Sequence, residues 1–190
     1  IRAEAPGAAP MALARAAYAR VARTILGDGP FFEDASQVLS RGRGSRLLVL
    51  KAVLELLGLE VRVAVVRPFG ADPSFHRFPN PGLYSAPVLR VRAGAEVAWL
   101  DPSTRQNPFG AIPGWLAGCE ALVLPQAGEP PLLDRTPERA IEEDGREIAI
   151  RVALAADGTG ELTGTDRYRG VLGAMLKSQL EPLDQGQRRQ

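Results

Sequence analysis

The chain has 190 residues, 45% of them hydrophobic and 24% charged, the balance of an ordinary globular protein. Its formal net charge of +1 gives no ground for nucleic acid or an acidic membrane surface as partner, and no apolar run approaches the roughly 20 residues that span a bilayer. One cysteine, Cys119, and one histidine, His76, exclude an internal disulfide, a cysteine zinc cluster and a histidine-rich metal site, so neither metal nor cofactor is expected. Residues 1–10 are rich in Ala, Pro and Gly and read as a frayed linker. Apolar residues at helical spacing (Leu13, Ala17, Val21, Ile25) predict a helix over 11–26, stopped at Gly27-Asp28-Gly29-Pro30. A short helical segment over 33–39 follows, with Val38 and Leu39 expected to face inward.

The next helix, 45–57, is apolar nearly all round, which predicts burial in the middle of a domain. Lys51 and Glu55 can pair on its one polar edge, and Gly58 suits a left-handed C-terminal cap. A strand over 61–66 leads into a Pro-broken loop over 69–84. Strands over 87–92 and 96–100 form a hairpin about Ala93-Gly94-Ala95. Residues 107–116 read as an irregular crossing segment with aromatic anchors, 121–124 as a short strand, and 128–131 as a linker. The remainder predicts a hairpin of strands 147–154 and 160–165 about Ala156-Asp157-Gly158, an amphipathic helix over 168–180 and a polar tail. Two strands and one helix make a poor core alone, so 133–190 is expected to be the truncated start of a second β-rich domain. The first residue is Ile, and no signal peptide is visible, so the chain reads as a segment of a longer protein.

Five features stand in order: the apolar helix, its Gly58-Leu59 end, the strand, Trp99-Leu100-Asp101-Pro102, and Phe109-Gly110-Ala111-Ile112-Pro113. With the run from Leu116 to Leu124, this combination resembles the bacterial transglutaminase-like superfamily, circularly rearranged relatives of papain, over about 11–124, within a domain expected to span 11–132. The resemblance implies an α+β, papain-like fold with the central buried helix against a small antiparallel sheet. It also implies a helix-start Cys, a His at the following strand pair, and the Asp of the W-L-D-P motif. A thiolate needs such a base, and the helix dipole to keep it ionised. Counting back from Gly58 without gaps puts the family's Cys position at Arg43 and the Asp two later at Ser45. The His position falls at about Ala86, within Tyr84-Ser85-Ala86-Pro87-Val88, and no His occurs in that window. Asp101 alone is retained.

Arg43 is therefore either a cation for a carboxylate ligand, reaching toward Asp101, or a solvated turn arginine beside Arg41 and Arg46. Asp101 is either a catalytic relic or a carboxylate that caps its own turn. Ser45 as a nucleophile needs a base that is absent, and His76 would be a base without a nucleophile. Cys119 reads as packing, because free cysteines are among the most buried residues. Binding candidates are Arg43, Ser45, Asp101 and Arg41. The expected function is a catalytically inactive transglutaminase-like domain, a binding or structural module of a larger bacterial protein. Its expected partner is an unidentified protein or peptide. A divergent hydrolase, peptidase or acyltransferase using His76, Ser45 or Asp101 is the alternative. The resemblance further implies an extracytoplasmic setting.

Overall fold

The computed structural model describes residues 7–27, 29, 33–75, 78, 80–126, 128–138 and 144–183. The fold is mixed α+β, with four helices and a curled five-stranded antiparallel sheet beside a separate two-stranded hairpin among the described residues. Helix α1 (Pro10–Thr24) begins on a proline, which suits a first helical turn, and buries Met11, Ala14, Ala17, Tyr18 and Val21 along one stripe. Helix α2 (Ala35–Arg41) is capped by the Asp34 carboxylate, which accepts from the backbone N–H groups of Ser36 and Gln37. Helix α3 (Arg46–Leu56) is capped by Ser45, and Gly58 takes the left-handed conformation at φ +77° that lets the chain turn into the sheet.

The sheet order is β3-β2-β1-β4-β5, with β1 Glu60–Val66, β2 Ala86–Ala93, β3 Glu96–Leu100, β4 Glu120–Val123 and β5 Leu132–Arg135. Alternate residues serve two layers. Val61, Val63, Leu89, Val91 and Leu100 meet the buried faces of α1, α2 and α3. Ala64, Val66, Val88, Trp99 and Val123 face the other way and are covered by Ile112 and Leu116 of the crossing segment. The sheet curls strongly. Arg90 of β2 donates to Asp134 of β5 at 2.8 Å, although two strands lie between them. In a flat sheet those strands would stand about 14 Å apart.

Strands β6 (Gly145–Leu154) and β7 (Gly160–Arg169) form the hairpin over a turn in which Gly158 has φ +85° and Asp157 holds the Thr159 N–H. Helix α4 (Gly170–Leu180) packs back on this hairpin, and Asp144 accepts from the Val171 N–H at its start. Ile148, Ile150, Val152, Leu154 and Leu162 remain exposed. Beyond α4, Glu181 pairs with Arg105 at 3.1 Å and with Gln106. Among the described residues no helix is long and apolar enough to cross a membrane.

Several sequence expectations need correction. Helix α3 is not enclosed: its inner side is buried, while Leu56 is 83% exposed and Leu48 and Val53 are half-buried. An all-apolar helix can still lie on one face of a sheet when two further helices flank it. Leu39 points out and is 53% exposed, because the short turn of α2 buries only Val38. Trp115, read as an anchor, is half-exposed, and the aliphatic Ile112 and Leu116 fill the core beneath the crossing segment. Strand β5 lies where no strand was predicted, so the first sheet runs on to Arg135.

Candidate functional site

The site that the sequence singles out lies where α3 begins and β3 ends. The chain enters it through Gly42, at φ +63°, and Gly44, at φ +135°, joined to the end of α1 by a short bridge between Leu26 and Arg43. The Leu26 N–H donates to the Gly42 carbonyl at 2.8 Å, and the Gly44 N–H donates to the Leu26 carbonyl at 3.3 Å. A side chain at Gly44 has no room: a Cβ there would lie 2.4 Å from a Glu33 carboxylate oxygen and 2.8 Å from Val38.

That Glu33 carboxylate closes the helix start. Oε2 accepts from the Ser45 N–H at 3.1 Å, and Oε1 accepts from Arg41 Nη2 at 3.3 Å. A helix N-terminus carries unpaired N–H groups and the positive end of the helix dipole, so an anion is stabilised there. Here the protein supplies the anion itself. Ser45 is buried, and its hydroxyl oxygen accepts from the Leu48 N–H at 3.5 Å. Both of its positioned groups thus serve the helix cap.

One residue further on, Arg46 points inward and is only 6% exposed. Its Nε donates to the Ile25 carbonyl at 3.2 Å, and Nη1 donates to the carbonyls of Pro102 at 3.2 Å and Ser103 at 2.7 Å. The guanidinium therefore ties the end of α1 and the start of α3 to the turn after β3. Asp101, 3% exposed, organises that turn from inside. Its Oδ1 accepts from the Ser103 N–H at 2.9 Å and its Oδ2 from Asn107 Nδ2 at 3.0 Å. The Asp101 carbonyl accepts from the Tyr18 hydroxyl at 2.8 Å and from Asn107 Nδ2 at 3.1 Å. The Tyr18 hydroxyl is held far above its ordinary range, first by burial and then by the Asp101 charge, with Arg46 opposing both. Phe109 stacks edge-on against Tyr18, with ring centroids 5.7 Å apart.

Of the predicted residues, Ser45 and Asp101 are brought into this buried arrangement and Arg41 to its rim. Arg43 is not brought inward: it is exposed and lies over Gly27, with Nε 3.7 Å from where a Cβ would stand. Arg46, not Arg43, is the arginine buried beside the Asp101 turn. Ala86 is buried at the start of β2 among Val88, Trp99 and Ile112, an apolar position. Cys119 is half-buried, with Sγ 3.5 Å from the Ala117 carbonyl and 3.7 Å from that of Trp115. His76, with Phe31 and Phe32, lies outside the described residues.

The sequence reading missed Glu33, Arg46, Tyr18 and Asn107 as members of this arrangement. A signal existed for Arg46, which shares a helix stripe with Leu50 and Leu54 at four-residue steps, the spacing of one buried face. Glu33 gave no such signal, since it acts across 12 residues of chain. Among the described residues, no group of three His, Cys, Asp or Glu side chains could hold a metal ion. Comparison of the chain with family models, with curated proteins and with solved structures finds no match.

Proposed function

We propose that this chain is a catalytically inactive transglutaminase-like domain of papain-like type, kept as a structural module within a larger, extracytoplasmic bacterial protein. The observation that carries this reading is the internal closure of the α3 start. Glu33 occupies the anion position at the Ser45 N–H, and Arg46 ties down the Asp101 turn. In an active relative of this type the same helix end would face a nucleophile and substrate. Here its polar groups are spent on one another, which favours a frame over a cleft for an outside ligand. The hydrolase alternative needs Ser45 as nucleophile, and its burial and capping role count against that.

The test is turnover of peptide, amide and ester substrates by the purified chain, in the presence of a thiol blocker. The expected rate equals the buffer blank. Turnover by the unmodified chain that disappears in Ser45→Ala or Asp101→Asn, with the fold intact by circular dichroism, would overturn the reading in favour of the enzyme.

A further inference from the structure

Strand β6 (Gly145–Leu154) is bonded along one edge only: with β7 it forms a sheet of its own, and every residue from Arg146 to Leu154 is exposed. Which backbone groups point outward follows from the register. The Ala155 N–H donates to the Thr159 carbonyl at 2.8 Å, and hydrogen-bonded pairs alternate along an antiparallel ladder. The odd-numbered residues of β6 therefore bond to β7, whereas Arg146, Ile148, Ile150, Val152 and Leu154 turn their N–H and C=O groups away from it. Their side chains share one face, so an apolar row and a row of open hydrogen-bonding groups stand together. Edge strands are ordinarily blunted by a proline, a bulge or short length. Strand β6 runs 10 residues in unbroken register with no proline.

We propose that the chain pairs with a second copy of itself through β6, giving a four-stranded antiparallel sheet with its twofold axis at Ala149. Charge on the opposite face selects this occupant. Glu147 stands 4.0 Å from Arg167 and 3.7 Å from Arg169. Arg151, on the same face, has no acidic partner within ion-pair distance among the described residues. A second β6 laid antiparallel about Ala149 sets Arg151 of each copy directly opposite Glu147 of the other. The same register makes Ile148 with Ile150, and Arg146 with Val152, hydrogen-bonded pairs across the seam, so the outward N–H and C=O groups meet one another. An axis at Arg151 would instead oppose two arginines, which is unfavourable. Strand β7 offers no equivalent edge. Its outward positions include Gly160, Gly164 and Asp166, and that carboxylate is already held by Arg146 at 2.6 Å, so assembly closes at two copies. The pairing concerns the hairpin alone and stands or falls independently of the reading of the α3 start.

The test is sedimentation velocity of the full chain from about 1 μM to about 1 mM, the range of a small interface, with amide hydrogen exchange measured at both ends of it. A monomer–dimer equilibrium is expected, with exchange slowed in the dimer at the N–H groups of Ile148, Ile150 and Val152. Ile150→Pro removes an outward N–H and no bond to β7, so it should abolish the dimer and leave the hairpin paired. Arg151→Glu and Glu147→Arg each set like charges opposite at the seam, and either alone should weaken pairing about tenfold. An equimolar mixture of these two variants should pair as well as the unmodified chain, because each charge again meets its opposite. That mixture decides the matter if the proline variant misfolds. A chain still monomeric at about 1 mM would overturn the proposal, as would protection centred elsewhere or assembly beyond two copies. A dimer that survives in a folded Ile150→Pro variant, or a mixture that does not recover pairing, would overturn the β6 seam.

Discussion

Replacing Arg46 by methionine separates the buried arginine from the exposed one. The unbranched side chain keeps much of the volume and the helix propensity, so the loss falls on the polar contacts. Three carbonyls lose their donor: Ile25, Pro102 and Ser103. The first two of these bonds are buried and the third partly so. A hydrogen bond from a charged group contributes about 1.5–3 kcal/mol net, so two buried bonds give about 3–6 kcal/mol. Removing a buried charge recovers part of that, because the guanidinium no longer has to be desolvated. The expected loss is about 3 kcal/mol. Arg43→Ala, at an exposed turn, should cost no more than about 0.5 kcal/mol. Urea denaturation of both variants, followed by far-ultraviolet circular dichroism, gives the two midpoints and slopes. Equal midpoints for Arg46→Met and the unmodified chain would refute the claim that Arg46 joins the helical layer to the Asp101 turn. A large loss in Arg43→Ala would refute the assignment of Arg43 to solvent.

The other predictions concern the same buried arrangement. Tyr18 keeps its proton in the fold well above the ordinary value of 10.0, while the unfolded chain loses it there. Stability from this group is therefore full below about pH 10 and declines as pH rises beyond it, since the unfolded state then binds fewer protons. Denaturant titrations above that pH should show the decline, and Tyr18→Phe should flatten it at a cost of about 1 kcal/mol near neutrality. An unchanged alkaline slope in Tyr18→Phe would remove Tyr18 as its source. Gly44→Ala should destabilise by about 2 kcal/mol or more, from both its positive φ and the overlap with Glu33 and Val38. A thermal midpoint within about 2 °C of the unmodified chain would contradict the closed packing described at Gly44.

The main elements were legible because each carries a local signal. The α3 stripe, the Gly58 cap and the turn glycines at 94 and 158 depend on residues within a few positions of one another. The Lys51–Glu55 pair, expected from its spacing, forms at 2.7 Å. What was not legible depends on contacts far apart in the chain. Strand β5 (Leu132–Arg135) is short and holds two charged residues, so nothing local marks it; its place follows from Asp134 meeting Arg90 across 44 residues. Leu39 misled because an apolar residue beside Val38 reads as core until its own helix, α2, is known to bury only Val38. At the site, Asp101 was legible from its motif. The identity of the arginine that serves its turn was not, since counting along a family pattern gives positions and not side-chain directions.

The closure of α3 has a consequence for any attempt to place cysteine chemistry here. A thiol at a helix start is acidified by the unpaired N–H groups and the dipole, which stabilise the thiolate. In this chain the Ser45 N–H already holds the Glu33 carboxylate, so an introduced thiolate would meet a like charge where an anion site should be. Residue 43 in any case faces solvent over Gly27, so Arg43→Cys should leave the thiol near the ordinary cysteine range of about 8.5. Glu33→Gln added to it removes the charge while keeping a side-chain oxygen for the Ser45 N–H, and should leave that value unchanged, because residue 43 faces away from this helix end. The pH profile of iodoacetamide alkylation measures both. A strongly acidic thiol in the single variant, or a fall in the double variant, would mean that residue 43 does reach this helix end.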